Sequence, residues 1–304
     1  MGDIFYPYAI TIDSVTASVL VDAVSEQGIE MGEEVLRPMG DGQLYPRTKF
    51  TGGTEDVIVL STRSIAKALT KITLTGFKIL AASPVVLFCQ KAEHGGTRGG
   101  ASKHLKIEIK AGVVVIGPLR AATEGAAATM GIAIHTAEDG TNAPLTFTKL
   151  QSLPADDLTA PEEFYAGPVK LNNVALEGVS EIVFDPGITL TKRRSSASAA
   201  LGVDHISIAR IAPTVGIVTD QVDIVSDFEK AVDIASATHF YLRKAAIGAR
   251  VAAATAEHIK FTMTDGAIKG RTIGGTPQIG ALEILPIYDG TNAIVALDMA
   301  SAIT

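Results

Sequence analysis

Apolar and polar residues alternate with a period of two in short runs along most of this chain. Ala9-Ile10-Thr11-Ile12 and Val19-Leu20-Val21 open the first half, and Val169-Lys170-Leu171 and Glu181-Ile182-Val183-Phe184 open the second. Each pair is followed by a long polar stretch and then an apolar run, Asp56-Val57-Ile58-Val59-Leu60 or Val215-Gly216-Ile217-Val218. Period two places successive side chains on opposite faces of a strand, so these runs predict half-buried β-strands. A helix is expected next. Ser226-Asp227-Phe228-Glu229 has the form of a capping box and leads into helically spaced Phe228, Ala231, Val232 and Ala235. The first half offers Ser61-Thr62-Arg63-Ser64-Ile65-Ala66-Lys67-Ala68-Leu69 at the same point. Alternation then returns. Leu105, Ile107 and Ile109 predict one packed face, and Ile259, Phe261 and Met263 predict another. Asp265-Gly266 reads as a two-residue hairpin turn. Closing strands are expected around Gly131-Ile132-Ala133-Ile134 and Ala281-Leu282-Glu283-Ile284-Leu285.

The two halves read as one unit written twice. His104 to Gly112 aligns with His258 to Gly266 at an offset of 154, Lys91 with Lys244 at 153, and Asp139-Gly140-Thr141-Asn142 with Asp289-Gly290-Thr291-Asn292 at 150. Gly28-Ile29 aligns with Gly187-Ile188, and Val15 with Val174, at 159. An ordered series of matches with small drifts is the signature of an internal repeat. The expected organisation is a first β repeat over residues 1–153, a Pro- and acid-rich linker over 154–166, and a second β repeat over 167–304. The expected fold class is mainly β: two tandem antiparallel β-sandwich or barrel-like domains, each with one short flanking helix.

Composition narrows the function. Hydrophobic residues make up 47 % of the 304 residues, charged residues 19 % and aromatics 5 %, with no Trp. Such a chain can bury a core and is not expected to be disordered. It is poor in the aromatic platforms and paired carboxylates of a carbohydrate-active enzyme. The net charge of −7 argues against a general nucleic-acid binder. It is compatible with a channel through which DNA slides, since an acidic wall repels phosphate. Residues 1–152 carry 14 basic and 15 acidic groups, and the remainder 12 and 18. No segment approaches the ~18 uninterrupted apolar residues of a membrane helix. The N-terminal stretch has no basic residue before Arg37 and does not read as a secretory signal, so a cytoplasmic site of synthesis and folding is expected. The single Cys89 cannot form an internal disulfide and reads as a small core residue.

Candidate chemistry is thin. Gly95-Gly96-Thr97-Arg98-Gly99-Gly100 lacks the Lys-Ser/Thr and the helix of a phosphate loop and reads as an inter-strand loop. His104 and His258 occupy matched positions but lack the further ligands a metal needs. The Asp-Gly-Thr-Asn pair lacks the alternating acids of a calcium loop and reads as two turns. No catalytic, cofactor-binding or metal-binding residue is assigned, and no enzymatic activity or cofactor is expected.

Two tandem antiparallel β units, each with one helix and a long polar excursion early in the unit, resemble the tail tube (major tail protein) family of long-tailed phages. That resemblance implies a virion structural protein, assembled in the host cytoplasm into the viral tail. Six β domains would form each ring, and rings would stack into a tube. The lumen would hold the tape-measure protein and then pass DNA during ejection, with other tail proteins as further partners and no membrane. Since each chain would supply two domains, a trimeric, pseudo-hexameric ring is expected. A capsid decoration or tail-terminator protein is the alternative within the virion. In this reading the hairpins beginning at His104 and His258 lie side by side in a continuous sheet around the channel. The early excursions carry the assembly contacts: at offset 159, Glu33 falls on Lys192 and Glu34 on Arg193, with Glu30 and Arg194 adding to each side. Opposite charges at matched positions would give docking specificity more than affinity.

Overall fold

The computed structural model of the protein describes residues 4–13, 19–20, 29–32, 35–36, 50–51, 55–93, 99–100, 102–138, 145–154, 162–193, 203–222, 234, 238–246, 249–275 and 279–304. The protein is mainly β, built from antiparallel sheets, with one helix among the described residues.

The first half runs β1 (Ile4–Ile12), β2 (Val19–Leu20), β3 (Ile29–Gly32), β4 (Val35–Leu36), β5 (Phe50–Thr51), β6 (Glu55–Thr62), α1 (Ile65–Lys71), β7 (Phe77–Ile79), β8 (Val85–Ala92), β9 (His104–Ile109), β10 (Gly112–Ala122), β11 (Thr129–Thr136) and β12 (Thr146–Gln151). The second runs β13 (Glu163–Leu171), β14 (Val174–Leu176), β15 (Val179–Asp185), β16 (Ile188–Arg193), β17 (His205–Ile211), β18 (Thr214–Thr219), β19 (Thr238–Ala246), β20 (Ala249–Arg250), β21 (His258–Met263), β22 (Gly266–Gly274), β23 (Ile279–Pro286) and β24 (Ala296–Ser301).

Both halves follow one strand order. The first builds a small sheet β12-β9-β8-β1-β2, and the second builds β24-β21-β19-β13-β14, with β20 added beside β19. The remaining long strands form a single large sheet in the order β22-β23-β18-β15-β10-β11-β6-β3, with β7 beside β10. Its first four strands come from the second half, and β10, β11, β6 and β3 from the first. β4 with β5, and β16 with β17, are separate two-stranded hairpins. They occupy the same place in the order, after β3 and after β15.

Alternation explains the layers. β11 and β23 bury every second residue, with Ile132 and Ile134 matched by Leu282 and Ile284. These side chains face the two small sheets and share one hydrophobic core with Ile10, Leu87, Ile107, Phe240 and Phe261. Phe184 from the large sheet packs on Phe240 and Phe261 at ring-centroid distances of 6.2 and 5.3 Å, a cross-layer aromatic cluster. α1 buries Ile65, Ala68 and Leu69, the i, i+3, i+4 stripe of an amphipathic helix. It begins at Ile65, since Ser61 and Thr62 complete β6. The helix expected from Ser226 and the turn at Asp139 to Asn142 lie outside the described residues, as does most of the linker.

One expectation is overturned. β9 and β21 do not lie side by side; they belong to separate small sheets, while β10 and β22 lie in the large one. Neither β9 and β10 nor β21 and β22 pair with each other. The short connections at Ala111-Gly112 and Asp265-Gly266 are therefore arches between layers and not hairpin turns. The packed face itself is as expected: Ile107, Ile109, Ile259, Phe261 and Met263 are buried, and Leu105 packs against them half-buried. An arch lets consecutive strands present the same core from opposite sheets, which the period-two pattern satisfies as well as a hairpin does. Glycine is required there. Gly112 has φ +135°, and a Cβ on it would lie 2.1 Å from the His135 carbonyl oxygen.

The halves meet where β15 pairs with the outer edge of β10. Leu119 lies opposite Phe184, Arg120 opposite Val183, Ala121 opposite Ile182 and Ala122 opposite Glu181. The position matching Leu119 in the second half follows from hydrogen-bonded register. Gly112 pairs with Thr136 and Leu119 with Met130, while Gly266 pairs with Pro286 and Ile273 with Gly280. Ile273 thus takes the place of Leu119, yet it is 41 % exposed where Leu119 is 1 %. Leu119→Ala should therefore destabilise the isolated chain by about 2–5 kcal/mol through the cavity it leaves. Ile273→Ala should cost less than about 1 kcal/mol. Urea unfolding of dilute protein checks both values.

Candidate assembly interface

The joint between the halves is a structural interface solved once inside the chain. Beyond its four strand pairs, Thr123 donates its N–H to the Ser180 carbonyl (2.9 Å) and its hydroxyl to the Val179 carbonyl. The Ala128 N–H donates to the Phe164 carbonyl (2.7 Å), and Arg250 Nη2 to the Thr123 carbonyl (2.6 Å). The β16–β17 hairpin reaches across as well: the Glu138 N–H donates to the carbonyl of the buried Val203 (2.7 Å). Backbone pairing thus carries the joint, with Leu119, Ala121, Ile182 and Phe184 as its buried apolar centre.

The two ends of the large sheet repeat the parts of this joint. β22 is the counterpart of β10 and β3 the counterpart of β15, and each ends the strand order. The inner part of the β22 edge is covered as its counterpart is. The Ile234 N–H donates to the Gly266 carbonyl (2.7 Å), as β7 covers β10 where Ile79 pairs with Gly112. The outer part, at Ile273 and Gly274, corresponds to the segment that β15 covers in the first half.

The candidate contact residues are dispersed. Glu30 lies on β3, paired with Val57. Lys192 and Arg193 are exposed at the end of β16, in the β16–β17 hairpin. Glu33, Glu34 and Arg194 lie outside the described residues. The hydrogen-bonded register also replaces the offset of 159 at this point. Ile29 pairs with Ile58 and Phe184 with Val215, and Ile58 and Val215 pair with the matched Ile134 and Ile284. Ile29 therefore corresponds to Phe184, an offset of 155. The same offset lays Lys192 over Arg37, a like charge. Of the described candidates, Glu30 lies in the large sheet, and Lys192 and Arg193 lie in the separate β16–β17 ladder.

The other candidates have structural roles. The Lys91 N–H donates to His104 Nδ1 and the Lys244 N–H to His258 Nδ1, each at 3.1 Å. Both histidines are buried, and His258 Nε2 lies 3.0 Å from the Ala252 carbonyl. The matched histidines thus do one matched job, satisfying a backbone N–H on the neighbouring strand. Cys89 is buried and its thiol is pushed up to about 11 by desolvation, which makes it a poor nucleophile. Asp289 accepts the Thr291 N–H (2.8 Å), the Asn292 N–H (2.7 Å) and the Asn292 side-chain amide (2.7 Å). Its carboxyl is held down to about 2 by Asn292 first and then Thr291, as in a closed Asx turn. Among the described residues no group of three or more His, Cys, Asp or Glu could hold a metal ion. A cleft of about 360 Å³ opens beside the joint, but its two arginines are engaged. Arg243 donates twice to the Val251 carbonyl, and Arg250 donates to that of Thr123.

The edge correspondence could not be found from periodicity, which reports the face of a strand and not its neighbour. Its one sequence signal is the apolar Ile273 between Thr272 and Gly274, at a position that matches Leu119. No protein-family model matches this chain, and no curated protein does.

His239 gives this half a measurable acid response. Its ring is buried against Tyr241 (centroids 5.2 Å), and burial, then Lys260 and Lys170, push it down to about 4. The unfolded chain takes up this proton near pH 6.5 and the folded chain only near 4. Stability should therefore fall as pH drops through that window, by on the order of 1–3 kcal/mol. His239→Gln should flatten this limb in urea unfolding measured from pH 7 to pH 4.

Proposed function

We propose that this chain is a structural subunit that associates head to tail through its large sheet, and that the closed rings stack into a phage-type tail tube. The observation that carries the reading is the β10·β15 joint. The chain contains one complete copy of a sheet-to-sheet contact and, at its two ends, the unused halves of a second. Placing β3 of one chain on β22 of the next would set Ile29 opposite Ile273, as Phe184 stands opposite Leu119. An exposed apolar strand edge is a template for pairing, and a partner of identical architecture is the most economical way to cover it. Such a contact is heterologous, so it generates rings or open filaments and not an isologous dimer. The resemblance to tail tube proteins favours closure with three chains and six units.

The half-buried face of the large sheet that points away from the small sheets suits the wall of a conduit. Between the buried positions it presents Gly131, Ala133, Gly216, Val218 and Ala281, with Arg120, Glu181, Asp185 and Glu283 as scattered charges. Small side chains give a translocating polymer little to grip, and the three carboxylates against one guanidinium would repel a phosphate backbone. No residue in this reading has a catalytic role, and no cofactor is required.

Cryo-electron microscopy of concentrated protein tests the proposal. Stacked rings of three chains with six lobes are the expected outcome, and Ile273→Asp should leave folded monomers. A wild-type chain that stays monomeric at high concentration would sink the reading. Rings of six chains would remove the pseudo-sixfold arrangement, and compact unstacked trimers would favour a decoration protein.

A further inference from the structure

We infer that the surface around Ile287 and Tyr288 is the seat for the β4–β5 hairpin of a second copy of this chain. The inference rests on the head-to-tail reading above and names a contact separate from the strand edge.

The seat is identified by matched hydrogen bonds. The Ala137 N–H donates to the Ala111 carbonyl (3.0 Å), and the Ile287 N–H donates to the Asp265 carbonyl (3.1 Å). Ala111 and Asp265 precede the matched Gly112 and Gly266, so Ala137 corresponds to Ile287 and Glu138 to Tyr288. In the first half this surface is occupied. The β16–β17 hairpin lies over it, Val203 is buried, Ala137 is 6 % exposed, and the Glu138 N–H is held by the Val203 carbonyl at 2.7 Å. In the second half the same surface carries two large apolar side chains, Ile287 at 48 % and Tyr288 at 60 % exposed. Neighbouring exposed apolar side chains at the place where a covering element sits in the other half mark an interaction surface.

The covering element is also identified by register. Val35 pairs with Thr51 in β4–β5, and Leu190 pairs with Ile208 in β16–β17. The β3–β4 offset of 155 carries Val35 onto Leu190. The β6–β18 offset of 157, set by Ile58 and Val215, carries Thr51 onto Ile208. The two hairpins are therefore the same element inserted at the same point. β16–β17 lies on the half that precedes its own in the strand order. For β4–β5 the preceding half belongs to another chain, because β3 ends the sheet and the seat lies beside β23 near the opposite end. The hairpin would lie across the lateral contact between neighbours in one ring.

Hydrogen exchange with mass spectrometry on the full-length chain, free and assembled, tests this. In assembled wild-type protein, peptides spanning Ile287–Tyr288 and peptides spanning β4 and β5 should both exchange at least about tenfold more slowly than in the free chain. The double variant Ile287→Asp with Tyr288→Asp alters only exposed side chains. It should keep the wild-type circular dichroism and lose at least about tenfold in assembled fraction. Rings that form with neither segment protected would overturn the inference and leave the head-to-tail reading standing. Protection of the seat without the hairpin would also overturn it, since another element would then cover the seat. A wild-type chain that never assembles would remove both.

Discussion

β10 is eleven residues long and lies in the middle of the large sheet, so its outer edge needs partners on either side of residues 115–118. Two elements divide that edge. β7 takes Gly112 to Val114, and β15 takes Leu119 to Ala122. The second of these fuses the halves, and the remaining contacts between them follow from it. Phe184 packs on Phe240 and Phe261 of its own half, and Leu119 opposite it brings the first half into the same cluster. Thr123, Arg250 and the β16–β17 hairpin then close over the ends of the joint. An unpaired strand edge at this place would strand backbone donors and acceptors away from water, which is costlier than any single side-chain contact in the list of those it brings together.

The matched positions separate what the fold needs from what the assembly needs. Where both halves face the same surroundings, the residues agree in role: His104 with His258, Ile79 with Ile234, Thr62 with Thr219, all buried. Where the first half is covered by the second and no described strand covers the second, exposure diverges, at Leu119 against Ile273 and at Ala137 against Ile287. Chance exposure of a few apolar residues is ordinary on a protein surface. Here the exposed ones coincide with two different parts of one internal interface, the strand edge and the hairpin seat, and that coincidence is what points to a second chain.

Much of this architecture was legible in the alternation. The strands at Ala9–Ile12, Asp56–Leu60, Val215–Val218 and Ala281–Leu285 stand where period two predicts them, and the packed face of β9 and β21 is buried at every expected position except the half-buried Leu105. The placement of those strands was not. Asp265-Gly266 has the composition of a tight hairpin turn, but Asp265 Oδ1 accepts the Gly266 N–H (2.7 Å) in a corner that crosses between layers. A turn dipeptide specifies local backbone geometry, and whether the next strand stays in the sheet or leaves it is decided by the core. The matched histidines were visible as a pair, but their work on the Lys91 and Lys244 amides depends on a strand neighbour that no spacing reveals. The offset at Gly28 and Gly187 failed for a related reason. The matches of Gly28-Ile29 with Gly187-Ile188 and of Val15 with Val174 outweighed the strand register, which only the pairing of β3 with β6 and β15 with β18 discloses.

Closure of a ring needs curvature, and the location of the bulges bears on it. A heterologous contact repeated without rotation gives an open sheet, and repeated with the right rotation gives a closed one. A β-bulge bends its strand and increases local twist. β10 carries one between Ile116 and Leu119, directly before the segment that receives β15. β22 carries one between Ile268 and Gly270, just before the corresponding free segment. Each half thus bends its receiving strand between the part covered by its own half, at Ile79 or Ile234, and the part that lies beyond it. The small sheets repeat the device, with shifts between Pro7 and Ala9 in β1 and between Ala166 and Val169 in β13. Each unit thus carries a bend in the strand that leads to the joint, directly before Leu119 in β10 and three residues before Ile273 in β22, so in the proposed ring backbone geometry would contribute to the angle between successive units. In the proposed ring, side chains at the edge would set affinity and partner choice, while the bulges would set the path along which the large sheet turns.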